Sequence, residues 1–237
     1  MQILGMAALI SGGASGLGRA TAVALANAGA KVALLDIDGA AAEAAANKLG
    51  GIGLACDVTQ AGATERAVAA ARERHGPARV VVNCAGVGRA GRIVDRDGKP
   101  MPLDQFKQVI EVNLVGSFNL LRLAAADMIE LDPLDDGERG VIVLTASVAA
   151  FDGQIGQAAY SASKGGIVGL TLPRRASSRA MVSASWRSRL ASSRHRCWRG
   201  YRKLHKTVLP QMCHSRSASV GPRNTPRWRF TSAATRC

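Results

Sequence analysis

Short apolar runs alternate with longer amphipathic stretches through the first 173 residues of the chain. Five runs have the length of buried strands and lie at 7–11, 31–36, 53–58, 80–86 and 140–147. The stretches between them carry apolar residues at helical spacing and lie at 18–29, 40–50, 64–76 and 103–130. Strands that alternate with helices pair in parallel through right-handed crossovers. The pattern therefore predicts an α/β fold built on a doubly wound parallel sheet.

The charge of the chain is concentrated in its last quarter. The whole sequence carries a formal charge of +14. Residues 1–173 hold 15 basic and 17 acidic side chains, whereas 174–237 hold 16 basic side chains and no acidic one. Because the periodic pattern and the balanced charge end together, we predict one folded domain over 1–173 and a basic tail over 174–237.

The tail has three possible origins. A nucleic-acid-binding extension would explain its Arg, Ser and Trp residues, and a disordered segment would fit its charge. The third is a changed reading frame, because residues 175–191 read one base earlier allow "ARELARYGIRVVAIAPG", which is a helix end, a strand and a turn. We favour the changed frame. It predicts that the chain lacks a sixth strand and that residues from about Arg174 pack poorly on 1–173.

Cysteine spacing and hydropathy narrow the class of protein. The five cysteines have no zinc-ligand spacing, so no metal site is expected, and their odd number argues against a secreted disulfide scaffold. No apolar window approaches a membrane-spanning length, so no membrane partner is expected. The N-terminal residues run directly into the first strand without a basic leader, and we expect a soluble, cytoplasmic protein.

A glycine-rich turn between the first strand and the first helix indicates a dinucleotide site. Gly12, Gly16 and Gly18 let this turn approach a pyrophosphate, which a helix N-terminus stabilises, as in Rossmann folds. Asp36 ends the second strand, where its carboxylate can bind ribose hydroxyls and repel a 2′-phosphate, so NAD is favoured over NADP. The alternative for Asp36 is a cap on the next helix. The full set of expected cofactor-binding residues is Gly12, Ser15, Gly16, Leu17, Gly18, Asp36, Asp57, Val58, Asn83, Ala85, Gly86, Tyr160 and Lys164.

Four polar side chains could move a proton. Tyr160 and Lys164 lie four residues apart on one helical face, where an ammonium favours the phenolate form of a neighbouring tyrosine. Such a tyrosine can take the proton of an alcohol while hydride leaves. Ser147 could bind the same oxygen, and Asn113 could hold a water that links Lys164 to solvent.

The segments "SGGASGLG", "NCAG", "VNLVG", Ser147 and "YSASK" together resemble the short-chain dehydrogenase/reductase family over residues 6–173. The resemblance implies a catalytic tetrad of Asn113, Ser147, Tyr160 and Lys164, and a homotetramer for an intact member. The segment that ends in "GGIVGLTLP" and two long loops, 91–106 and 130–140, are similar to the branch that oxidises 3-hydroxyacyl-CoA in fatty acid metabolism. Gln154 is then expected to contact the substrate beside Ser147 and Tyr160. Reduction of 3-oxoacyl-carrier-protein and oxidation of hydroxysteroids are the alternative activities, and nucleic-acid binding through the tail is an alternative of another class.

Overall fold

The computed structural model describes residues 2–135 and 137–171, together with the backbone of 181–185, all within one compact unit, Met1–Ser188. Six parallel strands form a single sheet in the order β3-β2-β1-β4-β5-β6. The strands are β1 Ala7–Ser11, β2 Lys31–Asp36, β3 Ile52–Ala55, β4 Val80–Asn83, β5 Val141–Thr145 and β6 Met181–Ser185. The helices are α1 Gly16–Asn27, α2 Gly39–Asn47, α3 Ala61–His75, α4 Leu103–Ile110, α5 Gly116–Ile129 and α6 Ala158–Leu170. The predicted doubly wound parallel sheet is confirmed.

The central residues of β1, β2 and β4 are apolar because helices cover both faces of these strands. Leu9 belongs to a buried cluster on one face, and its neighbour Ile10 belongs to the cluster on the other face. Leu34 and Leu35 on β2 divide between the two clusters in the same way. Burying a leucine or isoleucine side chain contributes about 1.5–3 kcal/mol, so this two-sided burial accounts for the continuous apolar runs seen in the sequence.

The chain reverses its direction across the sheet between β1 and β4. From β1 it adds β2 and β3 on one side, and then returns to place β4 on the other side. Ser11 and Asn83 end these two strands and are paired in register. Ligands of open α/β sheets bind in the crevice at such a switch point, outside the carboxyl ends of the strands.

Three strands, β3, β4 and β5, end earlier than the apolar runs predict. β3 stops at Ala55, where its partner β2 stops at Asp36, so Asp57 and Val58 lie in the loop beyond it. β4 stops at Asn83 rather than at residue 86 for the same reason, since its neighbour β1 ends opposite it. Side-chain polarity predicted the positions of these strands, but the lengths of the neighbouring strands decide where pairing ends.

The expectation that no apolar window approaches a membrane-spanning length is wrong. The continuous helical segment Leu103–Ile129 is long and apolar enough to cross a membrane by length and composition, and it is the one such helix within the described residues. Its hydropathy comes from a face that packs into the protein core, where Val109, Leu120 and Met128 are fully buried. A buried core helix passes the same test as a membrane span, so this segment is weak support for a membrane partner.

The expectation that the chain lacks a sixth strand is also wrong for the backbone. Met181–Ser185 pairs in parallel with β5, from Val141↔Met181 to Thr145↔Ser185. The edge of β5 offers unpaired peptide groups, and any extended segment can satisfy them whatever its side chains. The other predictions for 174–237, poor packing among them, fall outside the described residues. The proposed boundary after residue 173 stays a prediction.

Candidate active site

The glycine turn after β1 forms a tight cradle at the N-terminus of α1. Gly12 has a φ of +65°, and a Cβ built on it would lie 2.8 Å from the backbone nitrogen of Ala85. A Cβ on Gly18 would lie 2.1 Å from the carbonyl oxygen of Gly12, so this helix start can approach the turn only as glycine. Gly16 has a φ of +50°, and a Cβ there would meet no described atom within 4 Å. Together with exposed Ser15 and Leu17, it leaves the helix N-terminus open to an anion.

Asp36 is fixed against this turn. Its carboxylate accepts hydrogen bonds from the Ala14 amide at 3.0 Å and from the Asp38 amide at 3.2 Å. The cap of α2 is Asp38, whose carboxylate accepts from the Ala41 amide at 2.9 Å. The capping alternative for Asp36 is therefore wrong, and its predicted contact with ribose hydroxyls stays a prediction.

Asp57 and Val58 are held beside the end of β3 by different partners. The Asp57 carboxylate accepts from the backbone amide of Thr59 at 3.0 Å and from the hydroxyl of Thr59 at 2.8 Å. The carbonyl of Val58 accepts from Nδ2 of Asn119 on α5 at 3.0 Å. Their predicted contact with the cofactor stays a prediction, but both residues lie at the carboxyl edge of the sheet, as such a contact requires.

The carboxyl ends of β1 and β4 are joined by buried polar side chains. The Ser11 hydroxyl lies 3.3 Å from Oδ1 of Asn83 and accepts from the Ala85 amide at 3.2 Å. Both Ser11 and Asn83 are buried, and Nδ2 of Asn83 has no hydrogen-bond partner among the described residues. Buried donors without a partner are rare in proteins, so this amide is a candidate contact for a ligand or an ordered water.

Lys164 is a buried cation in the same crevice. The residue is 5% exposed, and its Nζ donates to the carbonyl of Thr145 at 2.8 Å, its one hydrogen-bond acceptor within the described ranges. Nζ lies 5.7 Å from the ring centroid of Tyr160, one helical turn earlier on α6. Burial lowers the pKa of Lys164, and the nearby Cys84 thiol opposes that shift. An ammonium beside the phenol ring is the arrangement predicted for proton transfer.

Asn113 lies in a π-helical turn, Glu111–Val115, between α4 and α5. Its Oδ1 accepts from the Val87 amide at 2.7 Å, and its Nδ2 donates to the Val87 carbonyl at 3.0 Å and to the Ser163 hydroxyl at 3.0 Å. The side-chain amide therefore has both of its N–H groups engaged. Asn113 links the loop after β4 to α6, and its predicted hold on a water stays a prediction.

Ser147 and Gln154 lie on the segment that joins β5 to α6. The Ser147 hydroxyl oxygen accepts from the Ala149 amide at 3.2 Å, which leaves its own proton free to donate. Gln154 is exposed and lines a groove of about 570 Å³ whose walls include Arg92, Ile93 and Ile155. Gln154 therefore reaches the groove through which a substrate could approach α6.

Gly86 separates two of the predicted catalytic residues. A Cβ on it would lie 3.1 Å from Oδ1 of Asn113 and 3.8 Å from Nζ of Lys164.

Sequence reasoning missed the side chains that hold this arrangement: Ser11, Asn119, Thr145 and Ser163. The first and third are single polar residues at the ends of apolar strands, which is a signal that could have singled them out.

The fold and the crevice together define a class of enzyme. A doubly wound sheet, a glycine cradle at its switch point and a Tyr–Lys pair in the same crevice are the parts of an oxidoreductase that uses a nicotinamide dinucleotide. No cluster of His, Cys, Asp or Glu among the described residues could hold a metal ion.

The chain belongs to the short-chain dehydrogenase family, which it matches over residues 6–180. It is 49% identical over 175 residues to human 3-hydroxyacyl-CoA dehydrogenase type-2, covering 73% of this chain and 67% of the human protein. It is 38% identical over 179 residues to the (3R)-3-hydroxyacyl-CoA dehydrogenase of Canis lupus familiaris, a match that covers 69% of this chain and 64% of the canine protein. The crystal structure of 3-hydroxyacyl-CoA dehydrogenase type-2 from Mycobacterium avium superposes on this chain with a TM-score of 0.72 at 39% identity. The superposition covers 78% of this chain and 75% of the mycobacterial chain.

Proposed function

We propose that this chain is an NAD-dependent dehydrogenase that interconverts 3-hydroxyacyl-CoA and 3-oxoacyl-CoA. The observation that carries the proposal is the buried Lys164 ammonium beside the Tyr160 ring, in the crevice next to the glycine turn. Burying a lysine ammonium destabilises the folded state unless the charge is paired or hydrogen-bonded, and such buried titratable groups cluster at functional sites. The substrate class is that of the relatives named above, which act on 3-hydroxyacyl-CoA.

The residues of the crevice fit a nicotinamide dinucleotide. The cradle at Gly12 and Gly16 would hold the pyrophosphate, and the unpaired Nδ2 of Asn83 offers a buried donor beside it. Lys164 has N–H groups beyond the one bonded to Thr145, and these can bind ribose hydroxyls. When bound, the nicotinamide accepts the hydride of the alcohol carbon.

Asp36 supports NAD rather than NADP. Two backbone amides fix its carboxylate at the end of β2, so it cannot turn away from a ligand on the glycine turn. A 2′-phosphate would face this fixed negative charge, whereas free ribose hydroxyls would donate to it. The neighbouring Ile37 is exposed and supplies no cation.

In the proposed mechanism, Tyr160 takes the proton of the substrate hydroxyl. The Lys164 ammonium stabilises the phenolate that receives this proton, and the Ser147 hydroxyl donates a hydrogen bond to the substrate oxygen. The Ala149 amide bound to the Ser147 oxygen orients that donor. In the reverse direction Tyr160 returns the proton to the carbonyl oxygen.

The groove beside α6 suits an acyl-CoA ester. Its exposed apolar side chains include Ile93, Val94 and Ile155, and Arg92 lies among them. Apolar walls can cover an acyl chain, and a guanidinium can pair with phosphate. Gln154 supplies a polar group at the same groove, where we propose that it contacts the substrate.

Absorbance of reduced nicotinamide tests the proposal. With NAD, the chain in its corrected reading frame is expected to oxidise 3-hydroxyacyl-CoA esters, and its Tyr160→Phe variant is expected to lose this turnover. The 237-residue chain itself can be inactive, because its tail replaces the segment that should continue the fold. A clear preference for carrier-protein thioesters or for hydroxysteroids would replace the substrate assignment. Failure of the chain to bind reduced nicotinamide dinucleotide would contradict the function as a whole.

We also propose that 1–173 is the NAD-binding and catalytic domain and that the sequence from about Arg174 results from a changed reading frame. The family match ends at residue 180, close to the change in composition. Sequencing the gene tests this, because a second open frame should continue the family pattern one base earlier. Codons that do not permit that reading would contradict it. A cytoplasmic homotetramer remains our proposal for the chain with an intact frame.

A further inference from the structure

A chain of buried hydrogen bonds joins the loop after β4 to the backbone of the tyrosine on α6. The Val87 amide donates to Oδ1 of Asn113 at 2.7 Å, and Nδ2 of Asn113 donates to the Ser163 hydroxyl at 3.0 Å. The Ser163 hydroxyl in turn donates to the carbonyl of Tyr160 at 2.8 Å. Asn113 and Ser163 are both fully buried. The path links Val87 and Tyr160, which are 73 positions apart in the sequence, through the side chains of Asn113 and Ser163.

The Ser163 hydroxyl can donate one hydrogen bond and accept another at the same time. A hydroxyl has one proton to donate and two lone pairs to accept with. Ser163 uses the proton on Tyr160 and a lone pair on Asn113, so it can hold both partners at once. An alanine would leave one N–H of Asn113 without its present acceptor in a fully buried place, and such an unsatisfied donor is destabilising.

We infer that Ser163 is a positioning residue for the proposed reaction: through Asn113 it sets the Tyr160 backbone relative to the loop that carries Gly86 and Val87. This loop lies against the crevice, since a Cβ on Gly86 would approach both Asn113 and Lys164. The inference rests on the proposed function for its catalytic consequence. The mechanical link itself is independent of that function.

Hydrogen exchange at the Val87 amide tests the link without any activity. This amide bonds to a side chain rather than to a helix or strand, so its protection reports the position of Asn113. In the full chain, Ser163→Ala is expected to raise its exchange rate about tenfold, the effect of losing one buried hydrogen bond. Ser163→Cys, which keeps the volume but bonds weakly, is a second variant in case the alanine variant does not fold.

The matched control is Thr171→Val. The Thr171 hydroxyl donates to the carbonyl of Val168, three residues earlier on the same helix, as Ser163 does to Tyr160, but outside the crevice. We expect this variant to leave Val87 exchange unchanged. A rise in Val87 exchange in the control, or an equal rise at all amides of the sheet in Ser163→Ala, would mean loss of stability and overturn the inference.

Turnover separates the two proposals. If the parent chain oxidises 3-hydroxyacyl-CoA, Ser163→Ala should lower kcat several-fold with little change in KM, because binding groups are untouched. Unchanged Val87 exchange in folded Ser163→Ala and Ser163→Cys proteins would overturn the positioning role. A frame-corrected chain that stays inactive, while Val87 exchange still depends on Ser163, would contradict the proposed function and leave the link established.

Discussion

Replacing Gly18 by alanine tests whether the glycine turn is built for close approach. The added Cβ would lie 2.1 Å from the Gly12 carbonyl oxygen, 2.7 Å from the Gly12 carbonyl carbon and 3.2 Å from the Cα of Gly13. All three atoms belong to the backbone, so no side chain can rotate away to make room. The turn and the helix must separate by more than an ångström before these atoms reach ordinary contact.

The magnitude follows from two opposing effects. Overpacking against a rigid neighbour costs about 1–3 kcal/mol, and a contact this short with backbone belongs at the upper end. Alanine favours a helix over glycine by about 1 kcal/mol, which offsets part of that cost. We therefore expect the free energy of unfolding to fall by about 2 kcal/mol, a large part of a typical margin of about 5–15 kcal/mol.

Urea unfolding followed by circular dichroism measures this change in the full chain. The control is Gly169→Ala on α6, where the added Cβ meets no atom of the described residues within 4 Å. That variant should gain about 0.5–1 kcal/mol, because alanine loses less conformational entropy in a helix. Gly18→Ala should also weaken binding of reduced nicotinamide dinucleotide, since opening the turn redirects its amides. A Gly18→Ala protein as stable as its parent would refute the steric account.

Four further outcomes are expected. Tyr160→Phe should lower turnover by about 100-fold or more while binding of reduced nicotinamide, followed by its fluorescence, persists. Asp36→Ala should narrow the preference for NAD over NADP, and equal affinity of the parent chain for the two would contradict this role. Burial lowers the pKa of Lys164, so the folded state binds fewer protons than the unfolded state from that lowered pKa up to 10.5, and stability rises with pH across this window. Lys164→Met should remove that rise in urea unfolding at a series of pH values, and an unchanged profile would exclude the lysine as its source. Any binding of nucleic acid by 174–237 should be indifferent to sequence and should fall steeply with added salt, in a titration that compares unrelated duplexes.

The sequence by itself determined the class of fold and two local features of the crevice, the glycine turn and the Tyr160–Lys164 pair. Alternating apolar runs require parallel strands covered on both faces, which is why the order of elements and the doubly wound sheet could be predicted. The glycine spacing and the Tyr160–Lys164 pair are local features, because a turn and a single helical face fix their geometry within a few residues. Such features do not depend on how distant segments pack.

The tertiary structure decided what depends on contacts between distant segments. β3 ends at Ala55 because β2 ends opposite it, and Met181–Ser185 becomes a strand because the edge of β5 is available. Asn113 engages Val87 and Ser163, and Asp36 bonds to the glycine turn, 22 residues earlier, as well as to the nearby Asp38 amide. Hydrogen bonds between segments far apart in sequence are satisfied only when the whole sheet is assembled, so local pattern could supply the side chains but not their partners.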